Sequence, residues 1–220
     1  MIPLLFPPNT NLHMKLHLLL PATAATLAFV SCENPADSTT DATVKEAASA
    51  AASTGTRYEL TDSSTITFVG SKVTGSHEGG FKDIDGFFTM NDGQVTGGEI
   101  EIAMDSTWSD DEKLTGHLKS EDFFKVSEFP EATFTVTGVE KTGDTYSVSG
   151  NLMLRGVEKN ITFPATGSMD GESVKVQAEF DINRKDWGIV YAGKADDLIR
   201  DEVVIRFDLM AEPSSSNPEA

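Results

Sequence analysis

Between Arg57 and Glu212 large apolar residues recur at every second position, and that period of two constrains the fold more than any other feature of the chain. Tyr146, Val148, Gly150, Leu152 and Leu154 hold the even positions of one run whose odd positions are mostly polar. Val174, Val176, Ala178, Phe180 and Ile182 alternate with Lys175, Gln177, Glu179 and Asp181. Val203, Ile205, Phe207 and Leu209 repeat the pattern, as do Ile161, Phe163 and Ala165, and Phe134 with Val136. Successive side chains of a strand point to opposite faces, so each run is a strand with one wet and one dry face, and the sheet is antiparallel. Asn91-Asp92-Gly93, Lys141-Thr142-Gly143-Asp144 and Met169-Asp170-Gly171-Glu172 are turns between such runs. The count comes to about eight strands, at 57–73, 80–90, 93–104, 133–140, 145–155, 158–168, 173–182 and 202–211. Gly97-Gly98 predicts a bulge in the third, after which Ile100, Ile102 and Met104 resume the dry face.

Two segments break the alternation. Ser109-Asp110-Asp111-Glu112 has capping-box spacing and Leu114 and Leu118 follow one helical turn apart, so 109–126 is expected to be helical and packed over one end of the sheet. Asn183 to Asp201 is irregular. Eight antiparallel strands close into a barrel or stack as a two-sheet sandwich. A barrel of this size either packs solid or encloses one small ligand. Alternation alone does not separate these outcomes.

The ends of the chain have a different character. Leu16 to Val30 is an apolar run too short for a comfortable bilayer span, and it leads through Ser31 to Cys32, the only cysteine. Met14-Lys15, the apolar run, a small residue and then Cys resemble the lipobox of bacterial lipoprotein signal peptides, with Phe29 where Leu is commoner. The resemblance implies a signal peptide over 1–31, starting in practice at Met14, and a diacylglyceryl group on Cys32. From Glu33 to Thr56 the residues are chiefly Ala, Ser, Thr and Asp, too poor in hydrophobes to fold alone. Together 32–56 is expected to be a lipidated cysteine and a flexible tether with a mean reach of about 25–30 Å. Residues 57–212 form the domain and 213–220 a polar tail.

The net charge of −18, from 17 basic and 35 acidic residues, repels phosphate backbones and argues against nucleic-acid binding. One cysteine allows no internal disulfide. His77 and His117 are the only histidines of the domain and lack partners at metal-ligand spacing, and Asp196, Asp197 and Asp201 lack calcium-loop spacing. No phosphate loop, nucleophile elbow or HExxH is present, so no catalytic residue, metal or cofactor is assigned. Arg155 and Arg184, with His77 and His117, are weak candidates for contacting a polar headgroup.

The segment from His117 to Phe134, including Ser120-Glu121-Asp122-Phe123-Phe124 and Phe129-Pro130-Glu131-Ala132, resembles the motif of the YceI-like, polyisoprenoid-binding family. Lys125 stands where that family more often has Asp. Gly150 to Val157 resembles its "G-x-L-x-x-x-G-V", and Arg184-Lys185-Asp186-Trp187-Gly188 its "R-x-D-F/W-G" loop. The opening strand around Tyr58-Glu59-Leu60 matches too, and the order of matches spans 57–212. The resemblance implies an all-β, eight-stranded, lipocalin-like barrel around an isoprenoid chain. The dry-face residues expected to wall such a chain are Phe68, Phe81, Phe87, Ile100, Phe134, Val148, Leu152, Leu154, Phe163, Phe180, Ile205 and Phe207. The expected function is therefore a non-enzymatic carrier or store of an isoprenoid or quinone-type lipid. The lipobox resemblance implies that it is held to a membrane by acylated Cys32 in the bacterial cell envelope, facing the periplasm or the cell surface. The competing readings are a packed β-domain that binds a protein partner, and a barrel enzyme. A dimer is left open.

Overall fold

The eight expected strands become the eight staves of a closed barrel, joined in chain order. A computed structural model describes residues 34–214. Cys32, the signal peptide expected over 1–31 and the end of the polar tail lie outside the described residues. β2 (Thr56–Leu60) and β3 (Thr65–Lys72) form one stave, interrupted at 61–64, and β4 (Gly75–Phe81) and β5 (Ile84–Asn91) form the next. The others are β6 (Gln94–Ala103), extended by β7 (Thr107–Ser109), then β8 (Glu131–Thr142), β9 (Thr145–Leu154), β10 (Val157–Asp170), β11 (Ser173–Asn183) and β13 (Asp197–Pro213). Every stave pairs antiparallel with its neighbours in sequence. β13 closes the ring by pairing with β11 on one edge and with β2 and β3 on the other. The irregularity expected at Gly97-Gly98 is present, as a register shift between Thr89 and Met90 opposite.

The two ends of the barrel differ. Three tight hairpins, at 91–94, 142–145 and 170–173, surround one end. The other carries the 72–75 hairpin, helix α1 (Glu112–Leu118), a 3-10 turn at Arg184–Trp187 and the short β12 (Gly193–Lys194). Leu118, Phe123 and Ile189 pack there with Phe68 and form a lid of buried side chains. Arg155 ties the lid together by donating to Gly188 O at 2.8 Å and Glu121 O at 2.9 Å.

Three expectations need correction. The helix is shorter than 109–126: Asp111, not Ser109, is its N-cap, accepting from Leu114 N–H at 2.8 Å, and residues after Leu118 run in turns. The second stave begins at Gly75 rather than residue 80, because Gly75 to Gly80 pair with Lys72 to Thr67 without presenting the apolar alternation that marks a strand.

The third correction is larger, because most of the stretch read as a flexible tether is bound to the barrel as a belt. β10 pairs with β11 only through 166–170, and beyond that the two staves separate. β1 (Thr43–Glu46) pairs with the freed edge of β10 at 159–162. Just before it, Ala42 N–H donates to Asp181 O and Asp181 N–H donates to Thr40 O, so residues 40–46 lie in the gap between the staves. The chain then crosses the outer faces of β9, β8 and β6. Asn151 donates to Ala48 O at 2.7 Å and accepts from Ala48 N–H at 3.0 Å. Ala51 N–H reaches Val136 O at 2.9 Å, beside a bulge of β8, and Thr96 Oγ1 donates to Thr54 O. Small Ala, Ser and Thr side chains permit this close approach, and the energy comes chiefly from main-chain pairing, with Ala36, Ala42 and Val44 supplying the belt's few apolar contacts.

Candidate functional site

The barrel interior is not solid. It holds a cavity of about 510 Å³, within the range that accepts one small hydrophobic molecule. Its wall begins at the hairpin end with Met90, Val95, Tyr146 and Met169 and runs to Leu118, Phe123 and Ile189 under the lid. Since the lid residues are buried while Gly93, Gly167, Ser168 and Met169 of the wall are exposed, the mouth is at the hairpin end.

Mid-barrel, the wall is built of phenylalanines. The rings of Phe163 and Phe180 stack 4.1 Å apart, Phe207 meets both edge-on, and Phe134 leans on Phe163 at 5.7 Å. Nearer the lid, Phe68, Phe81 and Phe124 form a second group with ring centres about 6 Å apart. Glycines opposite the rings leave them room. A Cβ on Gly79 would fall 2.4 Å from the Phe68 ring. Trp187, fully buried, donates from Nε1 to Leu152 O at 3.1 Å and packs in one cluster with Ile161, Ile182 and, from the belt, Ala42 and Val44.

All twelve residues named from the sequence as wall candidates border this cavity. Phe87 does so from the outward phase of its strand. It stands opposite Glu59 and Glu99, and the Arg57 guanidinium lies 3.4 Å over its ring. The adjacent Phe88 is the interior ring and stacks on Tyr58 at 5.7 Å. Sequence reading missed Phe88, Tyr146, Met104 and the lid residues Leu118 and Phe123. Tyr146 stood in phase with Val148 and could have been included. Phe123 and Leu118 belong to a helix and turn whose docking no strand period encodes.

The four polar candidates all lie at the lidded end, and each has partners. His77 Nδ1 is 2.8 Å from Asp110, and His117 Nε2 is 2.9 Å from Asp122 with Phe123 and Tyr191 edge-on to its ring. Arg155 holds the lid. Arg184 alone of the four borders the cavity. It is buried, donating to Ile189 O, Arg200 O and Asp201, and burial pulls its pKa down against the opposing pull of Asp201 and Glu202. A guanidinium stays charged through such a shift. Among the described residues no group of three His, Cys, Asp or Glu side chains is placed to hold a metal.

On the outside, where the belt enters the gap, Asp181 is 3% exposed and accepts from Thr39 Oγ1 at 2.6 Å. Burial pushes its carboxyl above the usual carboxylate range, the Thr39 bond pulls it back, and neighbouring Asp41 and Glu202 raise it further.

An eight-stranded antiparallel barrel, lidded at one end and enclosing an apolar chamber, defines a lipocalin-like fold. Residues 58–211 match the model of the YceI-like domain, and the chain belongs to that family. It is 36% identical over 119 residues to Protein YceI of Salmonella arizonae, a match covering 50% of this chain and 62% of that protein. The same identity and coverage hold for Protein YceI of Salmonella newport. Among solved structures, a polyisoprenoid binding domain from Saccharophagus degradans aligns with a TM-score of 0.60 at 21% identity, over 71% of this chain and 98% of that one. Burkholderia cenocepacia BcnA aligns at 0.58 and 22%, over 67% and 95%. At such identities these structures speak to the fold.

Proposed function

We propose that the protein binds a long-chain isoprenoid or quinone-type lipid in the barrel and carries or stores it in the bacterial cell envelope, held to a membrane by acylated Cys32. The observation that carries this reading is the chamber of about 510 Å³ walled by phenylalanine, leucine, isoleucine and valine and open at one end. A solid β-domain serving as a partner-binding module would have filled that space. Burial of a hydrocarbon tail is favourable by roughly 25 cal/mol per Å² before ordering costs, so a tail that fills the chamber needs no polar contact to stay bound. The solved domain from Saccharophagus degradans, described as polyisoprenoid binding, has the same barrel. The hydroxyls that border the chamber, those of Tyr146, Thr166 and Ser168, lie toward the mouth, and none is hydrogen-bonded to a carboxylate or histidine among the described residues, which favours a carrier over an enzyme.

Native mass spectrometry of the purified protein, followed by lipid extraction, tests the reading on wild type and on Val148→Trp. Val148 lines the middle of the cavity. Wild type is expected to retain an isoprenoid or quinone, and the variant to stay folded and lose it. A wild type that carries no lipid and takes up none, with a variant that unfolds early from overpacking, overturns the proposal.

A further inference from the structure

The belt fixes where the chain leaves the barrel toward Cys32. Asn34 accepts from Ser71 Oγ at 3.2 Å and caps the turn Pro35–Ser38, and Ala36 of that turn is buried. Ser71 is itself buried near the end of β3, at the lidded end of the barrel. One residue, Glu33, separates Asn34 from Cys32, so their Cα atoms are at most roughly 7 Å apart when the chain is extended. Residues 34–55 are bound along the barrel, so the attachment has no slack.

The same end carries exposed apolar side chains. Val73, at the tip of the β3–β4 hairpin two residues from Ser71, is 55% exposed and its N–H donates to Leu198 O at 3.1 Å. Leu198 is 49% exposed, and Val190, on the loop between the 3-10 turn and β12, is 65% exposed. Among the described residues four large hydrophobic side chains are exposed, and these are three of them. Beside them Lys72 pairs with Asp197 at 2.5 Å and Lys185 with Asp201 at 2.7 Å, and Lys194 and Asp196 bring one charge of each sign to the turn before Leu198.

We propose that this corner of the lidded end seats on a lipid bilayer, with Val73, Leu198 and Val190 entering the interface and the cavity mouth turned away from the membrane. The proposal rests on the reading of Cys32 as acylated. An acyl group roughly two residues from Asn34 brings this corner to the bilayer surface, where aliphatic side chains gain by leaving water. Charge keeps the mouth off an anionic surface. The three hairpins around the mouth carry Asp92, Asp144, Asp170 and Glu172 against Lys141 alone, and an anionic leaflet repels them. Asp110, Asp111 and Glu112 make the helix side of the lidded end acidic too, and Asp37, Asp41, Asp186 and Glu202 line the groove beside Asn34, so the seating rests on the acyl group and the aliphatic side chains rather than on charge. In this posture the mouth meets the aqueous space.

The test uses the full chain, processed in a bacterial host and reconstituted into vesicles of phosphatidylcholine and phosphatidylglycerol. Val73→Cys, Leu198→Cys and Met169→Cys each add one free thiol, labelled with an environment-sensitive fluorophore, with Met169 reporting the mouth. Intact mass establishes the diacylglyceryl group first. The expected result is a blue shift and quenching by headgroup nitroxide lipids at 73 and 198, with neither at 169. An acylated protein whose label at 73 stays in water, or whose label at 169 is quenched, overturns the orientation alone. A mass lacking the acyl group overturns the anchor and the orientation together.

Discussion

The outer edge of the Phe134 ring occupies the place where a Cβ on Gly150 would stand, its Cζ 2.1 Å from that point. The glycine gives the ring its seat, and the seated ring leaves the centre of the barrel open.

Gly150→Ala is therefore expected to push the Phe134 ring toward the cavity. Overpacking of this kind costs about 1–3 kcal/mol. Denaturant unfolding should show that loss, and retained lipid should fall with it. A variant as stable as wild type, with unchanged lipid content, would mean that the ring has another place to go.

Asn151→Ala is expected to loosen the belt. It removes both bonds to Ala48 and one of the two acceptors of the Asn160 amide, which keeps Thr137 Oγ1 at 2.9 Å. The cost is about 1–3 kcal/mol. Hydrogen exchange at Ala48 should accelerate while the amides of β9 and β10 stay protected.

The Asp181 carboxyl makes docking of the belt pH-dependent. Its pKa is raised in the folded state, first by burial and then by Asp41 and Glu202, so the folded protein binds more protons than the unfolded one. The stabilising contribution is complete below the ordinary Asp value and is lost as pH rises through the raised value. Thermal unfolding of wild type and Asp181→Asn, followed from acidic to neutral pH, should show the variant gaining on wild type as pH rises. A constant difference across that range would remove Asp181 as the cause.

The ligand's head is expected to be neutral or weakly charged. From Arg57 to Glu212 the domain holds 15 basic and 30 acidic residues, and the mouth is acidic. Competition between an isoprenoid alcohol and its diphosphate should favour the alcohol. Tight, salt-sensitive binding of the diphosphate would overturn this.

What the sequence revealed and what it hid have separate physical causes. Val148, Leu152, Phe163 and Phe180 were legible as wall because each stands in an unbroken alternation, and alternation is what a two-faced strand imposes. Phe87 and Phe88 were not separable in that way, since two adjacent phenylalanines fit either phase; register against Tyr58 and Glu59 decides which one faces inward. The helix cap moved from Ser109 to Asp111 because Ser109 Oγ is bonded instead to Asp111 O and near Thr115 Oγ1. The belt left no trace that hydropathy could reveal. Its partners are main-chain groups and a few amides, and its composition matches that of an unfolded linker.

Because the belt lies in the seam between β10 and β11 and then runs around the outside to β2, it would sit mechanically in series between the barrel and the proposed anchor at Cys32. A pull at the N-terminal end does not first take up loose chain. It loads Asn34, then the hydrogen bonds around Asp181 and β1, and these would break in succession like the teeth of a zip. Release of Asp181 and then of β1 frees the facing edges of β11 and β10, so tension on such an anchor would be felt as an opening in the side wall before any strand of the barrel itself gave way.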